Sequence, residues 1–102
     1  MRHRYLALAV DSEQMSNSNE FMDAVWAAVS RLFGEYGASR AGLSLISYDV
    51  ERRLAVVRVA HVAIGMVRAA LTSITRIGTR VAAVHVLAVS GTLKALHQKI
   101  NT

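Results

Sequence analysis

The first half of the chain passes from a short apolar segment through a polar loop into a long stretch with helical periodicity. Residues 5–10 are continuously apolar, which predicts a short buried strand. Residues 11–19 are rich in Ser and Asn, as is typical of a loop. Residues 20–36 repeat apolar side chains every three or four positions, which predicts an amphipathic helix. The positions expected to face the core are Phe21, Val25, Ala28, Val29, Leu32 and Tyr36.

Both ends of this helix carry local signals. Asn17 and Glu20 have the spacing of a capping box, with Asn in place of the usual Ser or Thr. Gly34 and Gly37 are candidates for the left-handed residue that often ends a helix. The helix is therefore expected to stop near Tyr36.

The middle of the chain predicts a hairpin followed by a second helix. Residues 42–48 and 53–59 have the composition of strands, and the four residues between them predict the connection of a hairpin. Residues 62–76 return to helical periodicity and are expected to end at Gly78.

A long strand and a short helix complete the pattern. Residues 81–89 are apolar on both faces of the expected strand, which predicts a central or covered position in the sheet. A last helix is expected after Ser90, with Leu93, Leu96 and Ile100 on its apolar side.

The predicted element order is β-α-β-β-α-β, followed by a C-terminal helix. This is the split βαβ pattern of ferredoxin-like and RNA-recognition-motif-like sandwiches, in which two helices cover one face of a four-stranded antiparallel sheet. We therefore expect a single α+β domain over residues 1–102, since the length suits one unit and no repeat or linker is present.

Charge is distributed very unevenly along the chain. Residues 1–51 hold four arginines and seven acidic residues, a net charge of −3, whereas residues 52–102 hold six arginines, two lysines and no acid, a net charge of +8. A purely cationic half favours a polyanionic partner. The alternative is a solvated cationic face, with acids of the first half folded against it.

Catalytic chemistry has little support in the sequence. The four histidines are scattered, Asp11 and Glu13 form only a weak metal-like pair, and no metal or nucleotide motif is present. His85 lies among apolar residues, which predicts that it has a core or interface position. His61 precedes the predicted second helix, where it could cap the helix or contact a phosphate. The chain has no cysteine and its first apolar segment is too short for a signal peptide or a membrane span, so a soluble, cytoplasmic protein is expected.

Two groups of residues are candidates for contacts with a nucleic acid. Arginine suits bidentate contacts with phosphate and stacking on bases, and the basic candidates are Arg52, Arg53, Arg58, Arg68, Arg76, Arg80 and Lys94. Ser90, Gly91 and Thr92 would bring hydroxyls and free N–H groups to a helix start, which is either an anion site or an ordinary Ser cap. The third strand has no aromatic side chain, so phosphate and shape contacts are expected rather than sequence-specific stacking.

The first helix carries more apolar surface than one sheet can cover. Met22, Trp26 and Phe33 form a second stripe beside the core positions. This stripe predicts either a protein-partner surface or a wider core.

Four segments together resemble the family of ribonuclease P protein component 2, an archaeal subunit shared with eukaryotic ribonuclease P and ribonuclease MRP. Residues 32–39 (LFGEYGAS) resemble the block after the family's first helix, and residues 67–71 (VRAAL) its second-helix segment. Residues 89–96 (VSGTLKAL) are similar to its C-terminal signature, and residues 4–6 (RYL) fit its start. The blocks follow the family's order and span nearly the whole chain.

The resemblance implies an RNA-binding subunit that supports the catalytic RNA while 5′ leaders are removed from precursor tRNA, with no catalytic residue of its own. It also implies pairing with the barrel-shaped ribonuclease P protein component 3, and Mg²⁺ held with the RNA rather than by this chain. Self-association as a homodimer, or assembly as a heterotetramer, is a separate expectation. Two other classes stay open: a ferredoxin-like ligand-binding regulatory module that dimerises through its sheet, and a structural adaptor.

Overall fold

A computed structural model describes residues 2–100 as an antiparallel sheet with helices on both faces, which confirms the α+β class. Residues 1 and 101–102 of the predicted domain lie outside the described residues. The sheet has the strand order β2-β3-β1-β5-β4. The elements are β1 (His3–Ser12), α1 (Ser18–Arg40), β2 (Ser44–Asp49), β3 (Leu54–Ala60), a 3₁₀ turn (His61–Ala63), α2 (Ile64–Thr72), β4 (Arg76–Ile77), β5 (Arg80–Ser90) and α3 (Leu93–Ile100).

The prediction of four strands was wrong, because the second helix is shorter than its periodicity suggested. α2 ends at Thr72, where the hydroxyls of Thr72 and Ser73 donate to backbone carbonyls at 2.9 and 2.6 Å and so compete with continued helix. The chain then forms β4, which pairs with the start of β5 around a turn at Gly78. Gly78 has a φ of 63°, so it shapes a hairpin rather than ending a helix.

The capping box at the start of α1 is confirmed. The side chain of Asn17 accepts from the backbone N–H of Glu20 at 2.8 Å, and the carboxylate of Glu20 accepts from the backbone N–H of Asn17 at 3.4 Å. Gly34 has a φ of 76°, as expected of a stop, but it produces a kink and the helix resumes to Arg40. Gly37 lies within the resumed helix, so the expectation of a second left-handed residue there was wrong.

The main core lies between the sheet and helices α1 and α2. Successive strand residues point to opposite faces, so Leu6, Leu8 and Val10 of β1 face these helices and are buried. On the opposite face, a smaller cluster forms where Leu96 of α3 packs on Ala7 and Val56. No helix among residues 2–100 is long and apolar enough to cross a bilayer.

β5 lies between β1 and β4 in the sheet, but the expectation that both of its faces are buried was wrong. Ala82 and Val84 face the core, but Val81 and Leu87 are 71% and 55% exposed, and His85 is exposed rather than in the core. The cause is the short α3, which covers only the part of this face near Ala88. Leu87 is also the extra residue of a β-bulge between β5 and β1.

Candidate nucleic-acid interface

The sheet divides the predicted RNA-contacting residues between its two ends. β1 is antiparallel to both β3 and β5, so its first residues meet the last residues of those two strands. We call this the Arg4 end, formed by Arg4, His61 and the turn of Ser90, Gly91 and Thr92 with the following Lys94. The opposite end, which we call the hairpin end, holds the β2–β3 turn and the start of β5.

Arg4 joins three segments that are distant in sequence. Its Nε donates to Nδ1 of His61 at 3.2 Å. Its Nη1 lies against Gly91 so closely that a Cβ at Gly91 would collide with it. The backbone N–H of His61 also donates to the carbonyl of Arg2 at 2.8 Å, which fixes the 3₁₀ turn beside β1. Glycine at position 91 therefore allows a guanidinium to rest on the turn before α3.

The turn has the local structure of a capped helix start. The hydroxyl of Thr92 accepts from the backbone N–H of Ala95 at 3.2 Å, so Thr92 rather than Ser90 caps α3. The backbone N–H of Thr92 donates to the hydroxyl of Ser90 at 3.4 Å. The N–H groups of Leu93 and Lys94 have no partner inside a helix that begins here, and they lie at the positive end of its dipole. This arrangement suits a phosphate oxygen.

The Arg4 end is cationic because no acidic residue occurs in the strands and turns that build it. Residues 2–10 and 52–100 contain no Asp or Glu. Arg2, His61 and Lys94 are exposed there, and Arg4 is half-buried. The sequence-based prediction included the turn and Lys94 but missed Arg4 as a contact. The signal that could have found it was the predicted topology, since a split βαβ sheet places the first strand beside the last.

At the hairpin end, by contrast, arginines lie among acids and are engaged within the fold. The guanidinium of Arg53 donates to the carbonyl oxygens of Ser12 and Glu13, the latter at 3.2 Å, and so ties the turn to the end of β1. The backbone N–H of Arg52 donates to the carboxylate of Asp49 at 3.1 Å.

Arg80 borders a shallow cleft at the same end, together with Asp11 and Glu13. The remaining predicted contacts are dispersed. Arg68 is exposed on α2, and Arg76 is exposed on β4 rather than on the second helix where it was predicted. Arg58 lies on the α3 face of the sheet, where it is the cross-strand partner of Tyr5.

The predicted apolar stripe of α1 is only partly at the surface. Met22 and Trp26 are partly buried and pack against the main core, as the wider-core alternative predicted, whereas Phe33 is 42% exposed. Leu32 and Tyr36, which were expected in the core, are 46% and 73% exposed, because the core-facing stripe ends at Val29 and resumes only after the kink. The exposed apolar surface of α1 therefore consists of Leu32, Phe33 and Tyr36, around Gly34.

The structure has no constellation for metal binding in the part of the chain that it describes. No group of three or more His, Cys, Asp or Glu side chains within residues 2–100 is arranged to hold a metal ion.

Comparison with protein families and curated proteins gives one consistent result. The model of the Rpp14/Pop5 family matches residues 4–101. The ribonuclease P protein component 2 of Pyrococcus furiosus is 35% identical over 98 residues, covering 96% of this chain and 82% of that protein. The proteins of the same name from Thermococcus gammatolerans and Methanosarcina mazei are 33% and 30% identical, with 96% of this chain covered and 82% and 83% of theirs.

Among solved structures, a chain in the cryo-EM structure of yeast ribonuclease MRP has a TM-score of 0.73 to this one. The match covers 98% of this chain and 92% of that chain at 15% identity. At that identity the likeness shows a shared fold.

Proposed function

This chain belongs to the Rpp14/Pop5 family, and from that premise we propose that it is a protein subunit of ribonuclease P. In this role it binds the catalytic RNA and supports removal of 5′ leaders from precursor tRNA, while the RNA carries out the cleavage. The family match favours this function over the ligand-sensing module, which shares only the fold class. The expected location is the cytoplasm.

The observation that carries the proposal is the Arg4 end. A guanidinium, an exposed imidazole and the start of a helix meet there, and no acidic residue occurs in the segments that form it. Phosphate oxygens of RNA are the natural ligands of such a surface, because both the charges and the free N–H groups favour an anion. The hydrogen bond from Arg4 to His61 orients the guanidinium before RNA arrives, so less ordering of this side chain is needed on binding.

The contribution to the reaction is positional and electrostatic. By neutralising phosphates, the Arg4 end would help hold folded RNA in its active shape, in which the RNA binds the Mg²⁺ ions that support cleavage. No side chain of this protein is assigned a proton transfer.

The finer fold and partner assignments belong to the same proposal. The order β2-β3-β1-β5, with α1 and α2 packed on one face, supports an RNA-recognition-motif-like sandwich extended by the small β4. The exposed apolar surface of α1 (Leu32, Phe33 and Tyr36) supports a protein contact, for which we propose ribonuclease P protein component 3. Whether the chain forms a homodimer or a heterotetramer would then depend on whether component 3 covers this apolar surface.

Reconstitution tests this function. The protein, added with component 3 to ribonuclease P RNA, should raise leader cleavage at moderate magnesium, and the protein without RNA should cut nothing. Replacing Leu32 and Phe33 by Ser should lower the effect by weakening the protein contact, while Asn19→Ser on the exposed first turn of α1 should leave it unchanged. A cleavage rate equal to that of RNA alone would remove the proposed function.

A further inference from the structure

One polar patch lies on the α3 face of the sheet, where Tyr5 packs at the edge of the cluster formed by Ala7, Val56 and Leu96. Tyr5 of β1 is paired directly with Arg58 of β3 and, on its other side, with Ser90 of β5. His3 precedes Tyr5 by two residues, so strand alternation places it on the same face. The side chains of His3, Tyr5 and Arg58 are all partly buried. We call these three residues the Tyr5 patch.

The Tyr5 patch contains two buried side-chain polar atoms that have no hydrogen-bond partner within residues 2–100. These atoms are Nδ1 of His3 and Nε of Arg58. Buried polar groups are almost always paired in folded proteins, and the exceptions often lie where a ligand binds. Both atoms flank one tyrosine on one face of the sheet. Their clustering indicates a site whose ligand supplies the partners.

We infer that the Tyr5 patch binds a single unpaired nucleobase of RNA, which deepens the proposed function and rests on it. The phenol ring offers a stacking surface, and the planar guanidinium of Arg58 adds a second one. A base also offers carbonyl oxygens and ring nitrogens as acceptors. Binding would require the His3 and Arg58 side chains, whose unpartnered atoms are buried, to turn toward the base and donate to these acceptors.

The surroundings favour a nucleotide over a neutral aromatic ligand. Ser90, the partner of Tyr5 in the sheet, begins the turn before α3, so the patch adjoins the Arg4 end, although the Arg4 side chain alternates to the opposite face of β1. A base on Tyr5 would therefore place its own phosphates near the start of α3. The acid-free composition of residues 2–10 and 52–100 gives this path a charge complementary to the RNA backbone.

The patch has room for one base only. Two residues further along the strands, Ala7 and Val56 are buried under Leu96 of α3. β3 also carries no aromatic residue that could stack a second base. We therefore expect a contact with one unpaired nucleotide rather than with a single-stranded run.

The experiment compares the affinity of the full chain for pentauridylate and for the same ribose-phosphate backbone with every base removed. The two probes have the same charge, so they differ only in the bases, which can stack and accept hydrogen bonds. At low salt the base-containing probe should bind about tenfold more tightly. Tyr5→Leu should abolish this ratio and Tyr5→Phe should keep it. The dependence of affinity on salt should be the same in both variants, because the phosphate contacts are untouched.

The outcomes separate this inference from the proposed function. Equal affinity of the wild-type protein for the two probes would overturn the nucleobase site, and salt-dependent binding of ribonuclease P RNA would then leave the proposed function standing. Retention of the tenfold ratio by Tyr5→Leu would overturn the site as well. If Tyr5→Leu does not fold, the wild-type comparison decides alone. Failure of the wild-type protein to bind ribonuclease P RNA at low salt would remove both.

Discussion

At the scale of single residues, the contacts that an arginine makes depend on which residues the strand pairing places near it. Arg53 and Arg4 are both strand-end arginines of a basic protein. The guanidinium of Arg53 donates to two carbonyl oxygens of its own chain, whereas that of Arg4 lies beside His61 and Gly91 at a cationic surface. Composition predicted a basic RNA-binding half, but it could not distinguish these two roles because both depend on contacts across 40 or more residues.

Tyr48 provides a residue-scale prediction about pH. Its hydroxyl donates to the carbonyl of Ser16 at 2.7 Å, and its ring packs 5.3 Å from that of Phe21, measured between centroids. Burial, and secondarily the negative charge of Glu20, raise the pKa of Tyr48 above its usual value of 10.0. The folded state therefore resists ionisation of this phenol.

The sign of the effect on stability follows from linkage. Below pH 10 the phenol is neutral in both states, and its contribution to stability is complete; above that pH the unfolded state ionises first and stability falls. Tyr48→Phe should remove this part of the alkaline loss, although it forfeits the hydrogen bond to Ser16, which contributes about 1 kcal/mol at neutral pH. Urea unfolding of both proteins between about pH 8 and pH 11 checks this. Parallel alkaline losses in the two proteins would contradict it.

At the scale of elements, local signals determined where α1 begins but not where it ends. The capping box is a contact between residues three apart, so the sequence displays it directly. The end of α1 was predicted too early because a left-handed Gly34 can either stop a helix or kink it, and the sequence does not distinguish the two. The guanidinium of Arg40 donates to the hydroxyl of Tyr36 at 2.8 Å and lies 5.4 Å from its ring centroid, while Ala38 is buried. β4 was not predicted because two residues are too few to show a period.

Gly34 gives a prediction at this scale. Its φ of 76° and ψ of 172° belong to a region that only glycine adopts readily, and a Cβ there would meet no atom within 4 Å. Gly34→Ala should therefore lower the free energy of unfolding by about 1–3 kcal/mol through backbone strain alone. Gly65→Ala is the matched control, because Gly65 lies in α2 with equally open space and no positive φ. It should be neutral or stabilise by up to about 1 kcal/mol, owing to the higher helix propensity of Ala.

Thermal or urea unfolding of the two glycine variants measures this difference. Equal stabilities would show that the kink at Gly34 is not maintained in the folded protein. They would also weaken the assignment of Leu32, Phe33 and Tyr36 to one exposed surface, since the kink at Gly34 determines where Tyr36 lies relative to Leu32 and Phe33.

At the scale of the whole molecule, the sheet topology places the basic residues of the second half of the chain at two different ends of the sheet. The second half of the chain has a net charge of +8 and contains no acidic residue. β5 runs the length of the sheet, however, so Arg80 lies at the hairpin end and Lys94 follows the turn at the Arg4 end. Acidic residues of the first half of the chain lie at the hairpin end, as predicted by the alternative in which these acids fold against the cationic face. The order of elements was predictable from patterning, whereas the location of the cationic surface required the strand pairing.

The most direct test of the central claim compares RNA affinity after equal charge changes at the two ends. Arg4→Gln with Lys94→Gln, at the Arg4 end, should weaken binding to ribonuclease P RNA. The slope of log affinity against log salt should also fall by about two, one unit for each phosphate that is no longer neutralised. Arg76→Gln with Arg80→Gln, the matched control near the hairpin end, should change both quantities much less. Equal losses of affinity from the two pairs, with both proteins still folded, would contradict a localised interface and leave only nonspecific attraction between a basic protein and RNA.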